Sequence, residues 1–592
     1  MTETLGAAGG ASAAPTLRRR GGARWRAAGA TLPILAVFLL LIGLPLATVI
    51  GQSVFPDLFA LRNPSFAFNP APLIHALSTR WALQSLLHSL ELGMVAALTS
   101  TALGAGYAIL TVRFALPLRW LIVPVPWLVF LMPSYLKALA WVLLMMPGGY
   151  LVQLGVIPPD TARGFFSLGG LVFVHTLSLF PLPAFIVGAA LAGFGGELEE
   201  AARLSGNSPF AIFRKVTLPL LAPALALSLI ATFAEVLSDF GLAATIAHQA
   251  RFGLLTYGIY TAVADYPIDF PAAGAQALIL LCLILAAVFA DRMLRRQGQA
   301  RLISGRSRSA RPPSRGPWRW PVAGIALVVA TLALWLPLAA IAGRAFTATL
   351  GNGLAVANFT TANLTAVLSY GTDANAAFLD SFGYALVTAL AASLIALILA
   401  ARVEAAGTGL RGAVLGLAIG TVAIPGIVLG FGYILVWNRL PGFTGWPLPH
   451  YGRPSLLVTG YIAASLPYCL IVILTALGQL SPSLDAAARL SGHGPMARLM
   501  RVTLPLILLA VLTAFLLTFI RTIFELPISQ LLIPLKGSPL PPLVVNLFDH
   551  DEDGLASALS LISMLAAGGV AGTLWIILRR QLTFGRGTGD RS

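Results

Sequence analysis

Residues 199–220 read EEAARLSGNSPFAIFRKVTLPL, and residues 485–506 read DAAARLSGHGPMARLMRVTLPL. The two segments are 286 positions apart and are identical at 13 of their 22 positions. A repeat over this distance indicates that the chain consists of two related halves. In each half, four apolar blocks precede the segment and two follow it, so we expect the halves to share one topology.

Long apolar blocks flank both segments. Hydrophobic residues make up 57% of the 592 residues and charged residues only 10%, whereas soluble domains carry roughly 25% charged residues. Blocks of about 20 apolar residues match the hydrocarbon core of a bilayer, where a helix satisfies its own backbone hydrogen bonds. We therefore predict an all-α integral membrane protein of about 12 transmembrane helices in two homologous six-helix halves. The predicted spans are 32–52, 87–111, 120–145, 167–193, 221–243, 272–292, 321–344, 381–401, 412–437, 454–479, 506–530 and 556–578.

Basic residues lie mainly in the connectors on one side of these spans. With the N-terminus placed in the cytoplasm, inner segments hold 28 of the 38 Lys and Arg residues. The positive-inside rule then predicts that both termini are cytoplasmic. Both repeated segments are cytoplasmic on this argument, which is the arrangement of a parallel repeat. The net charge of +16 comes from these connectors, so we expect the lipid bilayer and no nucleic acid as a partner.

The most basic connector divides the chain. It is rich in Arg, Ser, Gly and Pro, a composition typical of a solvated linker. The predicted domains are a basic cytoplasmic N-tail at 1–31, a first transmembrane half at 32–292, the cytoplasmic linker at 293–320, a second transmembrane half at 321–578 and a cytoplasmic tail at 579–592.

The repeated segment has the pattern of a short helix that leads into the next span. Acidic residues near its start suit the positive end of a helix dipole. Gly206 and Gly492 can end this helix because glycine adopts the left-handed conformation. Pro219 and Pro505 follow a leucine, and proline is tolerated in the first turn of a helix. We therefore expect the fifth span of each half to begin at the Leu-Pro pair.

This pattern resembles the EAA loop of ATP-binding-cassette (ABC) importer permeases, which is Glu-Ala-Ala, three residues, Gly, nine residues, an aliphatic residue, one residue and Leu-Pro. The second copy departs from it at Ala486, where the acid would stand. The resemblance covers about 85–292 and 378–578, the expected core permease domains, and implies the ABC importer transmembrane-domain fold. In that family the segment docks in a cleft of the ATPase subunit. The residues that the resemblance assigns to ATPase coupling are Glu199, Glu200, Ala201, Ala202, Gly206, Leu218, Pro219, Asp485, Ala487, Ala488, Gly492, Leu504 and Pro505.

The chain has no ATPase site of its own. A phosphate-binding loop requires Gly-Lys, and none of the three lysines follows a glycine. We therefore expect a transport subunit that is not an enzyme and holds no cofactor or metal. The resemblance implies two copies of a separate ABC ATPase that binds ATP and Mg, a periplasmic solute-binding protein, and one permease chain per complex in the cell inner membrane. The rival hypothesis is a 12-helix secondary transporter driven by an ion gradient, which would have no reason to carry two such segments.

Ionisable residues within the spans are candidates for the translocation path or its gate. Glu235 and Asp239 lie in the fifth span, and the repeat offset aligns them with Arg521 and Glu525 of the eleventh. The i, i+4 spacing predicts that each pair shares a helix face. Two interpretations remain: Glu235 and Arg521 pair across the two-fold axis as a structural lock, or they line the route. Lys137, in a proline-interrupted span, either lines the path or extends to the outer interface.

The predicted outer loops are acidic. Their acids are solvated, dock basic residues of a binding protein, or briefly meet a cation. As a cargo, ferric iron ranks first, because fused permeases of this size and the pieces SDFG (238–241) and FELPIS (524–529) resemble ferric-iron importers. Thiamine, polyamine and aminoethylphosphonate systems are also similar. The acids of the predicted outer loops are Asp265, Asp269, Asp549, Asp551, Glu552 and Asp553.

Overall fold

The computed structural model describes residues 33–34, 36–59, 64–193, 197–247, 249–250, 252–299, 316–353, 355–406, 408–439, 451–492 and 494–587. These residues are almost entirely helical, and one isolated bridge between Thr347 and Phe359 is the β pairing among them. Ten helices are long and apolar enough to cross a membrane, or up to 13 if each bent helix pair forms one span. The predicted all-α membrane fold of about 12 helices is thereby confirmed. The predicted N-tail lies outside the described residues, as does most of the linker.

The helices of the two halves follow the same order. Within the first half they are α1 (Ala36–Val54), α2 (Ala71–Ser78), α3 (Arg80–Arg113), α4 (Arg119–Leu131), α5 (Ser134–Gln153), α6 (Pro159–Phe165), α7 (Leu168–Leu179), α8 (Pro181–Gly193), α9 (Glu197–Leu204), α10 (Pro209–Ser238), α11 (Leu255–Ala264) and α12 (Phe270–Gln299). Within the second they are α13 (Arg319–Ala345), α14 (Ala362–Leu368), α15 (Asp373–Ala406), α16 (Thr408–Val422), α17 (Gly426–Arg439), α18 (Pro454–Leu477), α19 (Pro482–Leu490), α20 (Leu499–Ile523), α21 (Pro527–Leu531), α22 (Leu540–Asp549) and α23 (Asp553–Gly587).

Three predicted spans each divide into two helices, and the fourth span divides into α7 and α8 at Phe180. The third divides into α4 and α5 at Met132 and Pro133, and the ninth divides into α16 and α17, which meet at 94°. The breaks in the third and ninth spans lie at prolines, Pro133 and Pro425, because proline donates no backbone hydrogen bond and disfavours helix in the residue before it. The eleventh span was predicted to reach residue 530, but α20 ends at Ile523.

The fifth span of each half was predicted to begin at its Leu-Pro pair, but the helix begins earlier, at Pro209 in the first half and at Leu499 in the second. The helix runs from Pro209 through a wide π turn at Phe213–Thr217 and continues past Pro219 to Ser238. The second half repeats this arrangement, with a π turn at Leu499–Thr503 before Pro505. The wide turn stands immediately before the proline, whose missing N–H would leave an α-helical ladder incomplete.

The first span of each half packs against the opposite half. Helix α1 contacts α12 of its own half and α17 of the second, whereas α13 contacts α23 of its own half and α5 of the first. Gly432 in α17 permits this packing, because a Cβ atom there would lie 2.6 Å from the carbonyl oxygen of Pro45. The largest fully buried side chains include Tyr135 of α5 and Tyr433 of α17. The broken spans therefore form the centre of the molecule.

Candidate functional site: the coupling segments and the central charges

The first coupling segment, residues 197–219, contains a short helix with a glycine end. Gly206 has a φ of +78°, the Gly206 N–H donates to Arg203 O at 3.0 Å, and the Asn207 N–H donates to Ala202 O at 3.2 Å. This is the Schellman arrangement, which requires a left-handed residue after the helix. Gly492 has a φ of +76° in the second coupling segment, residues 482–505. Both glycines end their helices, as the sequence predicted.

The two acids at the start of α9 lie in different environments. Glu200 is exposed, whereas Glu199 is largely buried and accepts a bidentate ion pair from Arg113 at the end of α3. The Thr217 hydroxyl of α10 also donates to Glu199, at 2.8 Å. Glu199 therefore ties the short helix to two membrane spans, while Glu200 faces outward. The side chain of Asp485, the acid of the second segment, lies outside the described residues.

Exposed leucines mark the same place in both segments. Leu204 is 87% exposed and Leu490 is 90% exposed, and the repeat offset aligns them. Ala201 and Ala487 are exposed beside them, whereas Ala488 is buried. Leucines this exposed therefore stand at equivalent sites of the two halves. The sequence analysis missed them, although both stand in the identical string ARLSG.

Lys137 neither faces a path nor extends to an interface in this structure. Its side chain is buried, and Nζ donates to Val129 O at 3.2 Å and to Ser178 O at 3.5 Å. Val129 lies in the last turn of α4, where carbonyls lose their helical partners. Lys137 therefore completes the hydrogen bonding of the broken third span.

Asp239 and Glu525 lie beyond the ends of their helices, so the predicted i, i+4 faces are wrong. Asp239 Oδ1 accepts from the Leu242 N–H at 3.1 Å and from the Ser134 hydroxyl at 3.0 Å. Glu525 accepts from the Ile528 N–H at 3.0 Å and the Ser529 N–H at 3.1 Å. Each carboxylate thus caps the turn that follows a fifth span. Asp239 lies opposite the proline break that precedes α5, and Glu525 lies opposite the proline break that precedes α17. Each carboxylate therefore links the two irregular segments of its own half.

Glu235 and Arg521 are the remaining charges of the fifth spans. Both residues are exposed, and they belong to different halves. No ion pair joins them within the described residues; the Arg521 guanidinium instead lies 4.1 Å from the ring centre of Tyr468. The helices that carry them, α10 and α20, do not pack along each other. The predicted pairing of Glu235 with Arg521 is therefore not formed in this structure.

Two duplicated halves with broken spans at their centre are the arrangement expected of a two-halved transport permease. Residues 100–301 match the family described as binding-protein-dependent transport system inner membrane component. The chain therefore resembles the inner-membrane permeases of ABC importers, ferric transport permeases among them.

The proteins that are similar in sequence carry names with different cargoes. The chain is 23% identical to the ferric transport system permease protein FbpB of Actinobacillus pleuropneumoniae, over 84% of this chain and 71% of that protein. It is 28% identical to the spermidine/putrescine transport system permease protein PotC of Escherichia coli, over 36% of this chain and 75% of PotC. It is 26% identical to a probable molybdenum ABC transporter permease of Haloferax volcanii, over 46% of this chain and 94% of that protein.

Proposed function

We propose that the chain forms the translocation path for ferric iron, which a periplasmic binding protein delivers and a separate ATPase drives across. The exposed Leu204 and Leu490 support the ATPase-coupling part of this proposal, because each lies at the end of a short helix that a partner subunit can contact. In the first half, Glu199 connects that helix to α3 and α10, so a movement of α9 reaches the span that holds Glu235. One chain supplies both halves, so one permease would bind two ATPase copies, which hold ATP and Mg.

Support for ferric iron comes from the relatives that cover most of the chain. The ferric permeases of Actinobacillus pleuropneumoniae and Haemophilus influenzae align over 84% and 77% of it, whereas the polyamine permease aligns over 36%. The longer alignment includes both halves and the connection between them. Uptake of radiolabelled ferric iron, putrescine and molybdate by cells with and without the chain tests the cargo. Loss of polyamine or molybdate uptake alone would contradict ferric iron.

Purification from native membranes tests the coupling surface. Leu204→Ser and Leu490→Ser together should remove a co-purifying ATPase and its transport-dependent hydrolysis, because each change removes an apolar contact from the centre of an interface. Leu154→Ser is the matched control, since Leu154 is 63% exposed and lies outside both coupling segments. A chain that purifies alone and transports on an ion gradient would contradict the importer and favour secondary transport.

We infer from the positive-inside rule that the coupling segments are cytoplasmic. Ser205 and His550 are both exposed and lie on opposite predicted sides. In a background without Cys282 and Cys469, His550→Cys should react with an impermeant thiol reagent in intact cells, whereas Ser205→Cys should react only after lysis. The reverse pattern would invert the topology.

A further inference from the structure

Two helices from different halves begin side by side at one end of the molecule. Helix α13 belongs to the second half, yet its first part, Arg319–Ala330, contacts the first turn of α4, Arg119–Ile122. Further along, Thr331–Trp335 of α13 contacts Val125–Leu131 of α4. The two helices therefore run in parallel, and both begin on the same side of the membrane.

Three exposed indole rings belong to these two helix starts. Trp120 is 73% exposed, Trp318 is 71% exposed and Trp320 is 61% exposed. Helix α13 is long and apolar enough to cross a membrane, so its first residues lie where the hydrocarbon core ends. Tryptophan is enriched at this level because its ring is apolar and its N–H is polar. The rings therefore place these helix starts at the height of the lipid head groups.

Two arginines are sequence neighbours of these rings. Arg119 is exposed, and the guanidinium of the half-buried Arg319 lies 5.7 Å from the ring centre of Trp320. Among the residues that the structure describes, no carboxylate lies within ion-pair distance of either guanidinium. Arg113, at the end of the adjoining helix α3, is already paired with Glu199. The two positive charges beside the rings are therefore not balanced by this part of the chain.

The counterpart of Arg119 in the second half is used inside the protein. The breaks at Pro133 and Pro425 align the two broken spans, and the same offset places Arg411 opposite Arg119. Arg411 Nη2 donates to Leu474 O at 3.0 Å, so it completes the hydrogen bonding at the end of α18. Arg119 makes no such contact with the described residues and remains available to an anion from outside the chain.

The segments that lead into the two helices add no negative charge. Residues 292–319, which precede and begin α13, contain nine arginines and neither Asp nor Glu. Residues 114–118, which precede α4, are uncharged. At the height of the head groups, the anions that can balance such a surface are the phosphates of anionic phospholipids.

We propose that the headgroup patch, formed by Arg119, Trp120, Trp318, Arg319 and Trp320, binds the phosphate of an anionic phospholipid. The guanidinium groups hold the phosphate through charge-assisted hydrogen bonds, and the indole rings lie against the glycerol and the upper acyl chains. A zwitterionic head group carries its own cation, which the arginines repel. One lipid would contact both halves, and its binding needs neither the ATPase nor a solute, so the proposal stands apart from the proposed function.

Native mass spectrometry of the full chain, released from detergent micelles that contain palmitoyl-oleoyl phosphatidylglycerol, tests the proposal. Phosphatidylcholine with the same acyl chains is the control lipid. We expect saturable and preferential retention of phosphatidylglycerol. Arg119→Gln together with Arg319→Gln should weaken its apparent affinity by about fivefold for each arginine lost and leave that of phosphatidylcholine unchanged. Arg119→Lys together with Arg319→Lys should keep most of the preference, because lysine also binds phosphate as a point charge.

A matched control removes two exposed arginines from elsewhere. Arg163→Gln together with Arg453→Gln lies outside the headgroup patch and should leave the retention of phosphatidylglycerol unchanged. The midpoint of thermal unfolding in phosphatidylcholine micelles shows that each variant is folded. Equal retention of the two lipids by the unmodified chain would overturn the proposal, and so would unchanged retention of phosphatidylglycerol by the glutamine variant of the patch.

Two further outcomes would assign the patch to a different ligand and contradict the proposal. Displacement of phosphatidylglycerol by an equal concentration of glycerol 3-phosphate would indicate a site for a soluble phosphate. Loss of a co-purifying ATPase from the glutamine variant, with retention of phosphatidylglycerol unchanged, would indicate a protein-binding surface. We expect neither, because the exposed indole rings match the acyl chains that only a lipid supplies.

Discussion

At the scale of single residues, hydrogen bonding explains features that hydropathy treats as anomalies. A lysine within a span is costly unless it has polar partners, and Lys137 has two, the carbonyls of Val129 and Ser178. The carbonyls at the end of α4 lack helical N–H partners and need such a donor. The break in the third span therefore explains the buried lysine.

Replacing Lys137 should consequently destabilise the protein. Lys137→Met leaves the Val129 carbonyl buried without a donor, which costs about 1–3 kcal/mol. We expect a lower midpoint of thermal unfolding in detergent. Lys536→Met is the control, since Lys536 is exposed and its replacement should have little effect. An unchanged midpoint for Lys137→Met would show that the carbonyl has another partner.

The glycines of the coupling segments allow a conformational test. A Cβ atom at Gly206 or Gly492 would meet nothing within 4 Å, so the effect of a substitution there comes from φ alone. Gly206→Ala should cost about 1–2 kcal/mol in the turn and weaken ATPase binding, measured by co-purification. Gly206→Asn should be milder, because asparagine tolerates the left-handed region. Equal loss in both variants would point to the side chain itself as the cause.

At the scale of helices, the short helix α9 depends on ties to its neighbours. Isolated helices this short are unstable in water, and α9 spans only Glu197–Leu204. The bidentate pair of Glu199 with Arg113, together with the Thr217 hydroxyl, fixes α9 on α3 and α10. Because of these contacts, a displacement of α9 would also move the spans α3 and α10.

Neutralising Glu199 should therefore uncouple ATP hydrolysis from solute uptake. In Glu199→Gln we expect the ATPase to bind and hydrolyse ATP while solute uptake falls by about tenfold, the effect of losing a charge-assisted bond. The measurement is the ratio of solute transported to ATP hydrolysed in proteoliposomes. Arg113→Gln should give the same ratio, and the double variant should be no worse than either single change. An additive double variant would separate the two residues.

At the level of the whole molecule, the two halves meet around the broken spans, and the packing of α1 and α13 against the opposite halves joins them. The fifth spans α10 and α20 do not pack along each other. Within the described residues, Glu235 and Arg521 form no ion pair with each other, and Arg521 lies against Tyr468 instead. A conformation in which α10 and α20 approach each other would bring the two charges together.

Charge exchange tests whether that contact forms during transport. Glu235→Gln and Arg521→Gln should each reduce uptake, and the exchanged double variant Glu235→Arg with Arg521→Glu should recover part of it. Folding, measured by thermal unfolding, should change little in the single variants because this structure contains no ion pair between these residues. A double variant as inactive as the single ones would show that the charges act separately on the path.

The amino-acid sequence by itself determined the membrane fold, the duplication, the approximate spans and the glycine-ended coupling helices. These features depend on local properties: the length of an apolar block, the φ that glycine permits, and an identical string in each half. Only the tertiary structure showed that Asp239 and Glu525 cap turns beyond their spans, and that the Lys137 ammonium donates to a carbonyl of α4. The physical reason is that a buried polar group is satisfied by partners from other helices, which spacing along the chain does not reveal.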